Sequence, residues 1–195
     1  MTTRRLILAS TSPYRRALLE RLRLPFEVQA PAVDEAALPG EKAPDTALRL
    51  AEAKARAVGA TSPVALVIGC DQVAALAGSC LGKPGGHEQA VAQLRAMRGR
   101  DVVFHTALAL LNTGSGALQV ASVPTTVRFR DCSDVEIERY LALERPYDCA
   151  GSAKIEGLGI ALVERAVSDD PSALIGLPLM QLVTMLCKEG VAVIE

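Results

Sequence analysis

Residues 65–69, Ala-Leu-Val-Ile-Gly, form an unbroken apolar run of strand length, and Cys70, Asp71 and Gln72 follow it directly. A strand without polar alternation needs cover on both faces, which helices on either side of an α/β sheet supply and a one-sided antiparallel sheet does not. The run is expected to end at Gly69, so that Asp71 emerges at the exit of a core strand with its backbone well fixed. Around it, residues 5–9 and 26–30 read as strands. Residues 14–24 read as a helix with Leu18, Leu19 and Leu22 on one face, Ser12 as its cap and Pro13 in its first turn. Residues 45–58 read as a second helix, with Leu48, Ala51, Ala55 and Val58 aligned at helical spacing.

Further along, Gly78-Ser79 reads as a turn between short strands at 73–77 and 80–81, and the glycine-rich stretch 82–86 forbids regular structure. A helix is expected over 87–98 with Gly99 at its end. Residues 102–111 and 118–130 form an antiparallel hairpin about Asn112–Gly116, which makes the sheet mixed. Ser133 and Glu136 spell a capping box for a helix that Pro146 stops. Strands at 160–163 and 191–194 and a helix at 178–188 complete the reading: a mixed α/β fold in one domain over residues 1–195.

Half of the 195 residues are hydrophobic and the net charge is −1, so a large core can form while the surrounding field stays too weak to wrap a polyanion. No apolar stretch approaches the roughly 20 residues of a membrane span. The basic start, Met1 to Arg5, is followed by too short an apolar stretch for a signal peptide, and a cytoplasmic location is expected. Five cysteines without a C-x-x-C pair read as reduced, mostly buried thiols, and the two histidines, His87 and His105, supply neither a zinc site nor a nucleophile's base. With 16 arginines against 5 lysines, most arginines are read as solvated surface and an oddly placed lysine carries more information.

Four constellations carry chemistry. Ser10-Thr11-Ser12-Pro13-Tyr14-Arg15-Arg16 combines a helix N-terminus, three hydroxyls and two guanidinium groups, the parts of a phosphate site and equally of a capped helix with surface arginines. Lys83 lies in Gly82-Lys83-Pro84, which is not a Walker motif because three residues, not four, separate Gly78 from Gly82 and proline follows the lysine. Gly157-x-Gly159 lacks the third glycine of a dinucleotide fingerprint. The acids Glu35, beside Asp34, and Asp71 suit Mg²⁺ bound through carboxylates, waters and substrate phosphates, although Asp71 alone reads as well as a turn former. Ser152-Ala153-Lys154-Ile155-Glu156 is a polar stretch between glycines, which reads either as a site or as a solvent loop.

In order, Ser-x-Ser-Pro-x-Arg-Arg, Val-Asp-Glu, Asp-Gln, Gly-Lys-Pro and Cys-Ala-Gly-Ser-x-Lys-x-Glu-Gly resemble the motifs of the Maf family of nucleotide pyrophosphatases, from about Leu6 to Lys188. That resemblance implies an elongated mixed sheet, two lobes around a cleft, a homodimer, and hydrolysis of nucleoside triphosphates between the α and β phosphates with Mg²⁺ or Mn²⁺. It implies that Ser10, Arg15, Arg16, Lys54 and Lys83 hold phosphates and that Glu35 and Asp71 serve the metal and the attacking water. Lys54 rests on the resemblance alone. Asp71 stands where the family's proton acceptor is assigned, yet a carboxylate bound directly to a metal is a poor acceptor, so orienting the water is the second reading.

Tyr14, Gln72 and Glu156 resemble the 7-methyl-GTP subgroup, in which tryptophan often stands at the position of Tyr14. A 7-methylated guanine is cationic near neutral pH, so an aromatic face and a carboxylate both favour it, and Glu156 can accept from the purine N1–H and amine. The other expectations kept in view are a dTTP or UTP pyrophosphatase and a non-hydrolysing nucleotide binder that regulates septum formation. No nucleic-acid or membrane partner is expected.

Overall fold

The computed structural model describes residues 5–194; the basic segment Met1–Arg4 lies outside the described residues. One seven-stranded mixed sheet organises the chain. Strand β1 (Arg5–Ala9) leads into helix α1 (Pro13–Glu20), β2 (Glu27–Gln29) and α2 (Ala43–Gly59). Then come β3 (Ala65–Leu76), β4 (Ser79–Leu81), α3 (His87–Met97), β5 (Asp101–Asn112) and β6 (Leu118–Phe129). Helix α4 (Asp134–Glu144), β7 (Val163–Ser168) and α5 (Leu179–Lys188) complete it. The sheet order is β2-β1-β3-β5-β6-β7, with β4 pairing β3. Among the described residues no helix is long and apolar enough to cross a membrane.

Period-two alternation separates two cores across the first half of the sheet. Leu6, Leu8, Leu66, Ile68, Leu108 and Leu110 face α1 and α5, while Ile7, Ala9, Val67, Ala107 and Ala109 face α2. Alanines on α2 bring it close: a Cβ at Gly69 would lie 2.1 Å from the Ala51 carbonyl oxygen and 2.7 Å from the Ala55 nitrogen. A third core joins the far halves of β3, β5 and β6 to α3 and α4.

The main correction concerns β3. It does not stop at Gly69 but runs on through Asp71 as one twelve-residue strand, because β5 pairs with it antiparallel from Leu66 to Ala75. On its other edge β1 pairs parallel only as far as Gly69, and β4 pairs antiparallel only from Ala74. Cys70 to Val73 are therefore hydrogen-bonded to a neighbour on one side only, and the gap on the other side is where the sheet opens.

Smaller differences have local causes. Helix α1 ends at Glu20 rather than Leu24, since Arg23 is left-handed and Leu24 precedes a proline. The strand expected at 160–163 is a 3-10 turn over Leu158–Leu162, the strand beginning only at Val163; Gly159 enters that turn against the backbone of Lys154. Residues 191–194 are not a strand: Gly190 turns left-handed and the Val191 N–H closes back on the Leu186 carbonyl, so the segment caps α5. The cysteines are less buried than expected, with Cys70 and Cys132 buried but Cys80 and Cys187 exposed.

Candidate active site

The gap in the sheet opens into a cleft of about 780 Å³, within the range of small-molecule sites. Its floor is Asp71, Gln72 and Val73. β1 stops at Ala9, and Ser10 turns the chain into α1, whose N-terminal residues Ser12 to Arg15 form one wall. Ser12 caps the helix, its hydroxyl accepting from the Arg15 N–H at 3.4 Å, and its own N–H donates to the Ser10 Oγ. Arg15 donates from Nε to the Gly176 carbonyl at 3.0 Å and from Nη1 to the Ser10 hydroxyl at 3.5 Å. The helix dipole, the hydroxyls and the guanidinium thus converge where an anion would be stabilised.

Lys54 comes from the sheet-facing side of α2 and is only 4% exposed, a position a lysine holds only when paired. Its Nζ donates to Asp71 Oδ1 at 2.6 Å and lies 2.5 Å from Glu35 Oε1. Lys83, on the exposed loop after β4, approaches the other Glu35 oxygen at 3.5 Å. Burial alone would raise the Glu35 carboxyl, but Lys54 and Lys83 outweigh it and hold the group below the usual range. The Glu35 loop has no regular structure and is pinned by α2, where Arg49 forks onto Glu41 at 2.6 and 2.8 Å and donates to the Ala36 carbonyl.

Among the described residues, no group of three or more His, Cys, Asp or Glu side chains is arranged for a metal. Two carboxylates nevertheless converge on one cation, the Lys54 ammonium. Two hard oxygen donors fit a divalent ion that completes its shell with water and phosphate oxygens.

A second group lines the cleft: Tyr14, Cys149, Ala153 and Glu156. Desolvation raises the Glu156 carboxyl and the Tyr14 hydroxyl. Burial and the neighbouring Asp148 push the Cys149 thiol up to about 12, so it is no nucleophile. Ser152 is fully buried, its hydroxyl donating to Gln93 at 2.6 Å, so the stretch from Ser152 is anchored rather than a solvent loop.

The structure thus brings together Ser10, Tyr14, Arg15, Glu35, Lys54, Asp71, Gln72, Lys83 and Glu156. It does not bring Arg16 there; that guanidinium pairs with Glu20 and lines a separate shallow groove with Leu24, Phe26 and Val28. Gln72 is already occupied: its amide nitrogen donates to the Thr106 hydroxyl and to the Ala173 and Leu174 carbonyls, stitching the turn before α5 to β3. Neither histidine lines the cleft, and His87 instead contacts Glu138 and Tyr147. Sequence reasoning missed Arg49, which reaches back to Glu41 and Ala36, and the turn at Leu174–Gly176, whose contacts with Arg15, Cys70 and Gln72 no local pattern announces.

A sequence profile described as Maf-like protein matches residues 5–189. The chain belongs to the Maf family. Among Maf relatives, a 7-methyl-GTP pyrophosphatase of Thiobacillus denitrificans is 61% identical over 193 residues, covering 99% of this chain and 96% of the relative. One of the same description from Methylobacillus flagellatus is 60% identical over 189 residues, covering 97% and 98%. A third, from Cupriavidus metallidurans, is 58% identical over 185 residues, covering 95% and 93%.

Proposed function

We propose that this chain is a cytoplasmic nucleoside triphosphate pyrophosphatase that hydrolyses 7-methyl-GTP to 7-methyl-GMP and pyrophosphate, with water attacking the α-phosphorus. The observation that carries the reading is the joining of two chemistries in one cleft: a carboxylate pair locked on Lys54 beside an anion-binding helix start, and an aromatic and a carboxylate farther along the wall. The shared description of relatives near 60% identity supports the substrate.

On this reading Ser10, Arg15 and the N-terminus of α1 hold phosphate oxygens, and Lys83 leans over them from its loop. Arg16 is left out of this set because its guanidinium is engaged with Glu20 away from the cleft. Lys54 keeps Glu35 and Asp71 from repelling each other before substrate arrives. Glu35 and Asp71 would hold Mg²⁺ or Mn²⁺, which supplies neutralisation of the charge that builds on the phosphates. Asp71, fixed in mid-strand and a ligand of that ion on this reading, orients the attacking water rather than taking its proton, and departure of pyrophosphate is eased by the surrounding cations. Tyr14 stacks on the base, Glu156 accepts from its N1–H and amine, and Gln72 shapes the pocket through the turn that it holds.

The test is pyrophosphate release from 7-methyl-GTP, GTP, dTTP and UTP with Mg²⁺ or Mn²⁺ and with a chelator. Selective release from 7-methyl-GTP that the chelator stops is the expected result. Preference for dTTP or UTP would overturn the base assignment, and binding without release from any of the four would overturn hydrolysis.

A further inference from the structure

Glu144, the last residue of α4, is absent from the cleft lining, yet the base-facing loop is built on it. Its Oε1 accepts from Lys154 Nζ at 2.5 Å and its Oε2 accepts from the Leu158 N–H at 2.9 Å. The loop closes so tightly over it that a Cβ on Gly157 would lie 2.8 Å from one carboxylate oxygen. Lys154 is fixed at its backbone as well, its N–H donating to the Tyr140 hydroxyl at 2.9 Å. The pair is shielded, with side chains 25% and 16% exposed.

The Lys154 ammonium also lies 5.6 Å from the centre of the Tyr14 ring. A cation so close to the stacking surface would repel a positively charged base, and it would be drawn to Glu156, two residues along. With Glu144 paired to it, the charged side chains that line the cleft on the same stretch of chain as the loop are the carboxylates Glu156 and Asp148.

We infer that the Glu144–Lys154 pair is a specificity device: Glu144 is a positioning residue that neutralises Lys154 and so reserves Tyr14 and Glu156 for a cationic purine. The inference rests on the proposed 7-methyl-GTP reading. It assigns Glu144 no contact with substrate. Its effect is carried by charge, so a substitution that keeps the shape and the Leu158 hydrogen bond while removing the charge isolates it.

The experiment compares the full chain as wild type, Glu144→Gln, Lys154→Met and the double variant. kcat and KM are measured for 7-methyl-GTP and GTP in mildly acidic Mg²⁺ buffer, where the methylated base is cationic. Glu144→Gln is expected to lower the preference for 7-methyl-GTP over GTP by about tenfold, mainly through KM for 7-methyl-GTP, and the double variant to restore it to within about threefold. Equal losses on both substrates, an unchanged preference, or a double variant no better than Glu144→Gln would overturn the inference. Thermal melting reports folding; if Glu144→Gln does not fold, Lys154→Met alone carries the test, since it must keep or raise the preference and a drop refutes the idea. A wild type without any preference would overturn the base reading and this device with it, whereas a preference indifferent to both substitutions overturns the device alone.

Discussion

Gly69→Ala joins packing to catalysis at one methyl group. The new Cβ would lie 2.1 Å from the Ala51 carbonyl oxygen, 2.7 Å from the Ala55 nitrogen and 2.9 Å from the Ala55 Cβ. All three atoms belong to the frame of α2 rather than to a side chain that can swing away, so the helix itself must retreat from β3 by about 1 Å. Overpacking of this kind costs about 1–3 kcal/mol, and a rigid obstacle puts the cost near about 3 kcal/mol, which for a chain of this size lowers Tm by about 6–12 °C. The catalytic effect is separate. Lys54 lies between Ala51 and Ala55 on that helix, and Asp71 lies two residues beyond Gly69, so the 2.6 Å contact between them spans the interface being pried apart. A displacement of about 1 Å at reacting groups can cost about a hundredfold in rate. Thermal unfolding and pyrophosphate release measure the two effects, with Gly86→Ala as control because that position is open. Gly69→Ala with a Tm within about 2 °C of wild type and undiminished turnover would refute the reasoning.

Other outcomes follow from the same geometry. Asp71→Ala should lower kcat by about 10²-fold or more, as expected when the group that positions the attacking water is lost, and should destabilise the fold by about 1–3 kcal/mol because buried Lys54 keeps only Glu35; kinetics and melting check both. Glu156→Gln should reduce kcat/KM for 7-methyl-GTP by about tenfold with Tm within about 2 °C of wild type, and unchanged 7-methyl-GTP turnover would remove Glu156 from the base pocket. Glu41, forked by Arg49, has its carboxyl lowered from 4.5 to about 2. A depressed folded-state value means that the ion pair stabilises the protein above about pH 4.5 and that this is lost as pH falls towards about 2. Wild type should therefore be more stable than Glu41→Gln at neutral pH and lose that advantage in acid, which denaturant melts across the range would register.

Most of the fold was legible because its signals are local. Ser12 does cap α1, Ser133 and Glu136 do form a reciprocal capping box, and the alanine face of α2 does lie on the sheet. What was not legible depends on partners far away in sequence. Nothing within residues 65–76 says that β5 will hold Asp71 in mid-strand, and Val191–Ile194 has strand composition but Val191 and Val193 pack instead against the core that Leu6, Leu66 and Leu108 share. The candidate site divides in the same way. Ser10, Arg15, Asp71 and Lys83 stand in short motifs whose chemistry can be read directly, and the i,i+4 pairing of Arg16 with Glu20 was open to the same reading, whereas the burial of Lys54 against Asp71 was not. Gly157 and Gly159 were visible as punctuation, but the reason for them, a carboxylate and a backbone filling the space of their missing side chains, was not.

The stretch of β3 that is paired on one edge only also makes strand register a determinant of chemistry. Along it, Cys70 and Gln72 reach the segment before α5 through Gly176, Ala173 and Leu174, while Asp71 between them meets Lys54 on α2. Because successive residues of a strand face opposite ways, a single residue inserted or deleted between Ala65 and Gly69 would deliver an amide or a thiol to Lys54 and drive the carboxylate into the turn that Gln72 holds. Length in this segment is therefore constrained as tightly as residue identity, and no change of count should be tolerated here.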